Sequence, residues 1–137
     1  MRHIDSRIML FMDTKYLHDV AIFNATKTWS KACKLWPSLP ANPPDITINN
    51  RLKTTAGRAW LADHRLDFSA ELMWQHTQEF VEQIIPHEVA HIIAFMVYND
   101  EGHGKGWKFV MRALGKPADR CHHLVNSAHA ARKAARV

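Results

Sequence analysis

Three ionisable side chains, His87, Glu88 and His91, interrupt the most apolar helical stretch of the chain. Across residues 77–99, Phe80, Val81, Ile84, Ile85, Val89, Ile92, Ile93 and Met96 recur at steps of three and four, the period of a helix with one apolar face. A polar group buried in such a face without a partner costs roughly 1–3 kcal/mol, and more if it is charged. Whatever this chain folds into must therefore close around these three side chains. Pro86 lies inside the pattern and lacks a backbone donor, so the spacing predicts either a kink or a helix that begins near residue 85, and Thr77 is a candidate cap.

The same residues read His-Glu-Val-Ala-His, the form H-E-x-x-H on a predicted helix. Four residues turn a helix by about 400°, so the two imidazoles leave one face roughly one turn apart, a spacing that suits a single tetrahedral zinc. Glu88, displaced by about 100°, is placed to reach a water on that metal and to move its proton. The competing account is a pair of core histidines that hydrogen-bond to one another. A catalytic zinc needs a third protein ligand and an open position. His103, Glu101, His122 and His123 are the candidates downstream. The turn-rich reversal at residues 99–104 can fold His103 back toward the first two, which makes His103 the first choice and Glu101 the next. The remaining isolated histidines read as surface or capping residues, and Tyr98 and Arg112 are candidates for assisting an oxyanion.

With 137 residues, 47% hydrophobic and 23% charged, the chain predicts one globular domain over residues 1–137, with a core at about 13–116 and a basic tail at 117–137. A single pair of cysteines argues against a disulfide framework and, with the N-terminal apolar run of residues 8–12 too short for a secretory signal, predicts a reducing cytoplasm. Residues 89–98 fall short of the roughly 20 apolar residues of a membrane span, so no membrane partner is expected. Charge is segregated: residues 71–101 carry a net −6 and residues 102–137 a net +7. A basic end suits a polyanionic partner or a solvated helix.

Asp13 is a candidate cap for a helix whose stripe runs through Leu17, Val20, Ala21, Ala25, Thr28, Trp29, Ala32 and Trp36. Four prolines within residues 37–44 end it. Residues 46–48, 54–61 and 65–68 then read as three short strands, most simply a small antiparallel meander. A short helix at 105–114 stops at Gly115, and residues 127–137 read as helical with little to anchor them. The expected fold class is α+β, a three-stranded antiparallel sheet packed on helices that include the H-E-x-x-H helix.

Taken together, Pro86-His-Glu-Val-Ala-His91, Gly102-His-Gly-Lys-Gly-Trp107 with Lys108, and Asn50-Arg-Leu-Lys-Thr-Thr-Ala-Gly57 resemble the SprT-like family, which includes the Spartan proteases of DNA–protein crosslink repair. The resemblance covers about residues 13–116. It implies a zincin-like fold, one catalytic Zn2+ held by His87, His91 and His103, Glu88 as the catalytic acid/base, and a packing role for Trp107. It further implies a zinc-dependent endopeptidase acting on DNA-associated or DNA-crosslinked protein. The alternative is a zinc-stabilised DNA-binding or adaptor module without proteolytic activity. Many relatives carry a C-terminal zinc ribbon with paired cysteines, whereas only Cys121 follows the motif here. For single- or double-stranded DNA, Arg51, Lys53, Arg58 and Arg65 are the candidate cations and Trp60 the candidate stacking surface.

Overall fold

The computed structural model describes residues 6–119 and 124–136, with side chains from residue 14 onward. The first helix, α1 (Ser6–Leu35), buries Leu17, Ala21, Ala25, Trp29 and Ala32 along the expected stripe. It starts upstream of Asp13, which is therefore an interior residue and not a cap. No glycine or proline in residues 6–13 interrupts the helix. After α1 the proline-rich segment folds back on it, and the Trp29 indole donates to the Pro40 carbonyl at 2.9 Å.

Three strands follow, β1 (Asp45–Asn49), β2 (Gly57–Trp60) and β3 (Arg65–Ser69). The α+β class and the three-stranded sheet hold, but the antiparallel meander does not. The order is β1-β3-β2, with β1 parallel to β3 and β2 antiparallel to it. The cause is burial. Leu66, Asp67, Phe68 and Ser69 of β3 are all buried, so β3 takes the centre with both edges paired, and the seven residues between β1 and β2 suffice to carry the chain past it. One face of the sheet bears Ile46, Ile48, Leu66 and Phe68 toward the core, where Phe68 meets Phe80 edge-on at 6.2 Å.

A short helix that the period of the sequence does not announce, α2 (Ala70–Gln75), is capped by Ser69, whose hydroxyl accepts from the Leu72 N–H. Then α3 (Thr77–Glu79), a π-helical turn (Phe80–Ile84) and α4 (Ile85–Tyr98) form one continuous run. Thr77 does not cap it; its hydroxyl donates back to the Met73 carbonyl at 2.7 Å. Pro86 falls in the first turn of α4, where its missing donor costs least, and the wider π turn ahead of it gives the ring room. Residues 77–98 are long and apolar enough to cross a membrane by length and composition, yet most of the stretch is buried inside the protein, which marks it as a core helix.

Behind α4 packs α5 (Lys105–Ala113), ended by Gly115 at φ 79° as expected. The final helix, α6 (Ser127–Ala135), is anchored more firmly than its composition suggests. Asn126, 6% exposed, caps it by accepting from the His129 N–H, accepts from Gln75, and donates to the Lys53 carbonyl and to Glu71. Burial raises the Glu71 pKa, but hydrogen bonds from Arg132, Asn126 and Lys53 outweigh it and hold the carboxyl at about 2. A buried polar hub thus ties α6 to α2 and to the loop before β2. Asn126→Ala should lower stability by about 2 kcal/mol, the loss of a cap plus stranded partners. Hydrogen exchange should then rise selectively in α6, which thermal unfolding and exchange mass spectrometry would measure.

Candidate metal centre

His87 and His91 lie one turn apart on α4, and His103 reaches them from the reversal between α4 and α5. The Nε2 atom of His103 is 3.1 Å from Nε2 of His87 and 3.1 Å from Nε2 of His91. One ligand atom from each of the three lies within 4.8 Å of the others. A tetrahedral ion bound at 2.0–2.1 Å sets its donor nitrogens about 3.3 Å apart, so these imidazoles fit a zinc ion with little movement, and three nitrogen donors suit that metal. Burial, and then the neighbouring His103, hold His91 down at about 4, so its imidazole stays in the neutral, ligating form across physiological pH. A hydrogen bond with the Gly102 backbone orients the same ring.

Trp107 supplies the floor. Its ring lies 4.8 Å from His87, 5.5 Å from His91 and 4.7 Å from His103, and its indole N–H donates to the His87 carbonyl at 3.2 Å. The packing role expected of Trp107 is what the geometry shows.

Glu88 stands beside the cluster and apart from it, with Oε2 3.9 Å from Nε2 of His87. Burial alone pushes its carboxyl up to about 8, so it can both hold and release a proton near neutrality. Gly57 on β2 makes this position possible: a Cβ there would come within 3.0 Å of Glu88 Cγ and 3.1 Å of the Phe68 ring. Glu88, His91 and Glu101 line a cleft of about 290 Å³ together with Arg58, Ala59, Trp60 and Leu61.

Glu101, the second choice for third ligand, therefore borders the cleft and is not part of the three-histidine cluster. His122, His123 and Cys121 lie outside the described residues. Tyr98 is engaged elsewhere, its hydroxyl accepting from the Trp36 indole at 2.9 Å, and neither it nor Arg112 lines the cleft. Of the candidate DNA contacts, Lys53 pairs with Glu71 and Arg58 with Asp67. The Trp60 ring is approached by the guanidinium groups of Arg58 at 5.0 Å and Arg65 at 4.9 Å, and its N–H donates to Asp67. Sequence reasoning missed Asp100, whose carboxylate accepts from the N–H groups of Gly102 and Trp107. The signal was present in the glycines at 102, 104 and 106.

The SprT-like family matches residues 23–129. This chain belongs to the SprT-like family. Its relatives include Protein SprT of Escherichia fergusonii, 31% identical over 72% of this chain and 61% of that protein. Protein SprT of an Enterobacter species is 41% identical over 60% of this chain and 51% of that protein, and that of Shigella boydii 37% identical over 59% and 50%. The aligned region spans between half and about three fifths of the length of these relatives. No solved structure matches the chain. Family and cluster together fit a zinc-dependent protein with an α+β, zincin-compatible fold.

Two predictions rest on this geometry. His103→Ala should lower zinc affinity sharply, read by competition with a chromophoric chelator, because two imidazoles leave the ion mostly to water. In the metal-free protein, Glu88 binds a proton in the folded state up to about pH 8 but in the unfolded state only up to about its ordinary 4.5. The stability it contributes is complete below 4.5 and is lost as pH rises toward 8. His91 acts in the opposite sense, and only between about 4 and its ordinary 6.5, where acid favours the unfolded chain. Between pH 6.5 and 8 the metal-free wild type should therefore lose stability, and Glu88→Gln should remove that slope in denaturant titrations.

Proposed function

We propose that this chain is a zinc-dependent endopeptidase, with Glu88 as its acid/base, acting on DNA-associated or DNA-crosslinked protein. One observation carries the reading: a buried carboxyl sits beside three converging imidazoles and opens on the same cleft. Zinc held by His87, His91 and His103 would supply a Lewis acid for the scissile carbonyl and would acidify a water molecule. Glu88 takes the proton from the attacking water as the new C–O bond forms, and returns it to the leaving nitrogen as the C–N bond breaks.

The open edge of β2 supports a polypeptide substrate. β2 lies at the end of the sheet, and residues 58–60 line the cleft, so an extended peptide can add to that edge while its carbonyl meets the histidines. Support for DNA comes from charge: Lys133 on α6, Arg136 just beyond it and Arg51 on the loop before β2 are exposed. The basic surface, a protein substrate and a cytoplasmic setting belong to this same proposal.

The test is cleavage of a basic DNA-binding protein by purified chain, with and without single-stranded DNA. Wild type should cut, and Glu88→Gln should lose at least about a hundredfold in rate while keeping zinc. A requirement for DNA would support the crosslink-directed reading. If wild type holds zinc and never cuts, or Glu88→Gln cuts equally well, the non-proteolytic zinc-stabilised module replaces it.

A further inference from the structure

The third histidine comes from a turn and not from a helix, yet its Nε2 lies 3.1 Å from Nε2 of both helical histidines. Something in the chain must hold it. The end of α4 is closed by Asn99, left-handed at φ 53°, whose N–H reaches the Phe95 carbonyl. The next residue, Asp100, donates its own N–H to the Ala94 carbonyl at 3.2 Å. Its backbone is thus fastened to the helix that carries His87 and His91. Its side chain points the other way. Oδ1 accepts from the Gly102 N–H and Oδ2 from the Trp107 N–H, both at 2.9 Å.

That second bond is a helix cap supplied from outside the usual position. The capping residue of α5 is Gly104, which has no side chain to offer. Asp100 takes its place, and the glycines explain themselves through it. A Cβ at residue 104 would lie 2.9 Å from Asp100 Oδ2, and one at residue 106 would lie 3.0 Å from Asp100 Cβ and 2.9 Å from Tyr98 Cβ. A side chain at 104 would thus crowd the carboxylate, and one at 106 would crowd the Cβ atoms of Tyr98 and Asp100. His103 is carried on this segment, between Gly102 and Gly104, and Trp107, which touches all three imidazole rings, is tied to the other oxygen of the same carboxylate.

We propose that Asp100 is the positioning residue of the third metal ligand, a strut that joins α4 to the 102–107 segment and sets His103 against His87 and His91. This inference rests on the metal centre alone and not on proteolysis, so zinc binding reads it directly.

The test is a double-mutant cycle on zinc affinity, measured by competition with a chromophoric chelator. Asp100→Asn keeps the shape, removes the charge and turns its NH2 group toward one of the two backbone donors, so that only one of the two hydrogen bonds survives. In the wild-type background it should weaken zinc by about tenfold to a hundredfold, the usual cost of losing an outer-layer partner. In the His103→Ala background, where the ligand it positions is already gone, the same change should matter by less than about twofold. An equal loss in both backgrounds would show that Asp100 serves the fold at large, and no loss in the wild type would show that it positions nothing; either result overturns the proposal. Should Asp100→Asn fail to fold, Gly104→Ala displaces the carboxylate while keeping its charge. It should reproduce the same pattern, and unchanged zinc affinity in that variant would also overturn the strut.

Discussion

Taking His87, Glu88 and His91 out of water on the face of an apolar helix creates a debt of polar interactions that the rest of the structure is arranged to meet. The flanking Ile84, Ile85, Val89, Ile92 and Ile93 are all buried, so α4 cannot rotate its polar groups to the surface without exposing them. The partners have to come to the helix. His103 arrives from the turn beyond it, Trp107 closes the space behind, and β2 approaches with a glycine at the point of contact. Each of these is a small accommodation made by a different element to the same three side chains.

The accommodations also explain the irregular parts of the backbone. The π turn at Phe80–Ile84 precedes Pro86 and lets the helix restart with His87 and His91 directed at one point. The left-handed Asn99 ends α4 abruptly, so that the chain reverses within a few residues and does not drift into another turn of helix. The glycine-rich approach to α5 gives up side chains in order to pack backbone around a carboxylate. Away from the cluster, the buried stripe of α1 follows the ordinary helical period.

Much of this was legible in the residues. The H-E-x-x-H spacing names its own geometry, because a helical period converts four residues into one shared face. The turn composition of residues 99–104 and the paired motifs pointed to His103, and the glycine stop of α5 was placed correctly. The topology of the sheet was not legible. Alternation along a strand reports which faces are covered but says nothing of which neighbour lies on which edge, and β3 won the centre through burial of four consecutive residues. The anchoring of α6 was hidden for a similar reason: Asn126, Glu71, Gln75 and Lys53 are far apart in the chain, and no local pattern marks them as one hub.

The sequence by itself determined the helix periods and the placing of two histidines and a glutamate together on α4, since each depends on neighbours three or four positions away. Only the tertiary structure decided that Glu101 borders the cleft while His103 joins the cluster, that Gly57 makes room for Glu88, and that Asp100 holds the turn. Those outcomes depend on distances between elements. Such distances are set by the packing of the whole core, and no local stretch of the chain contains them.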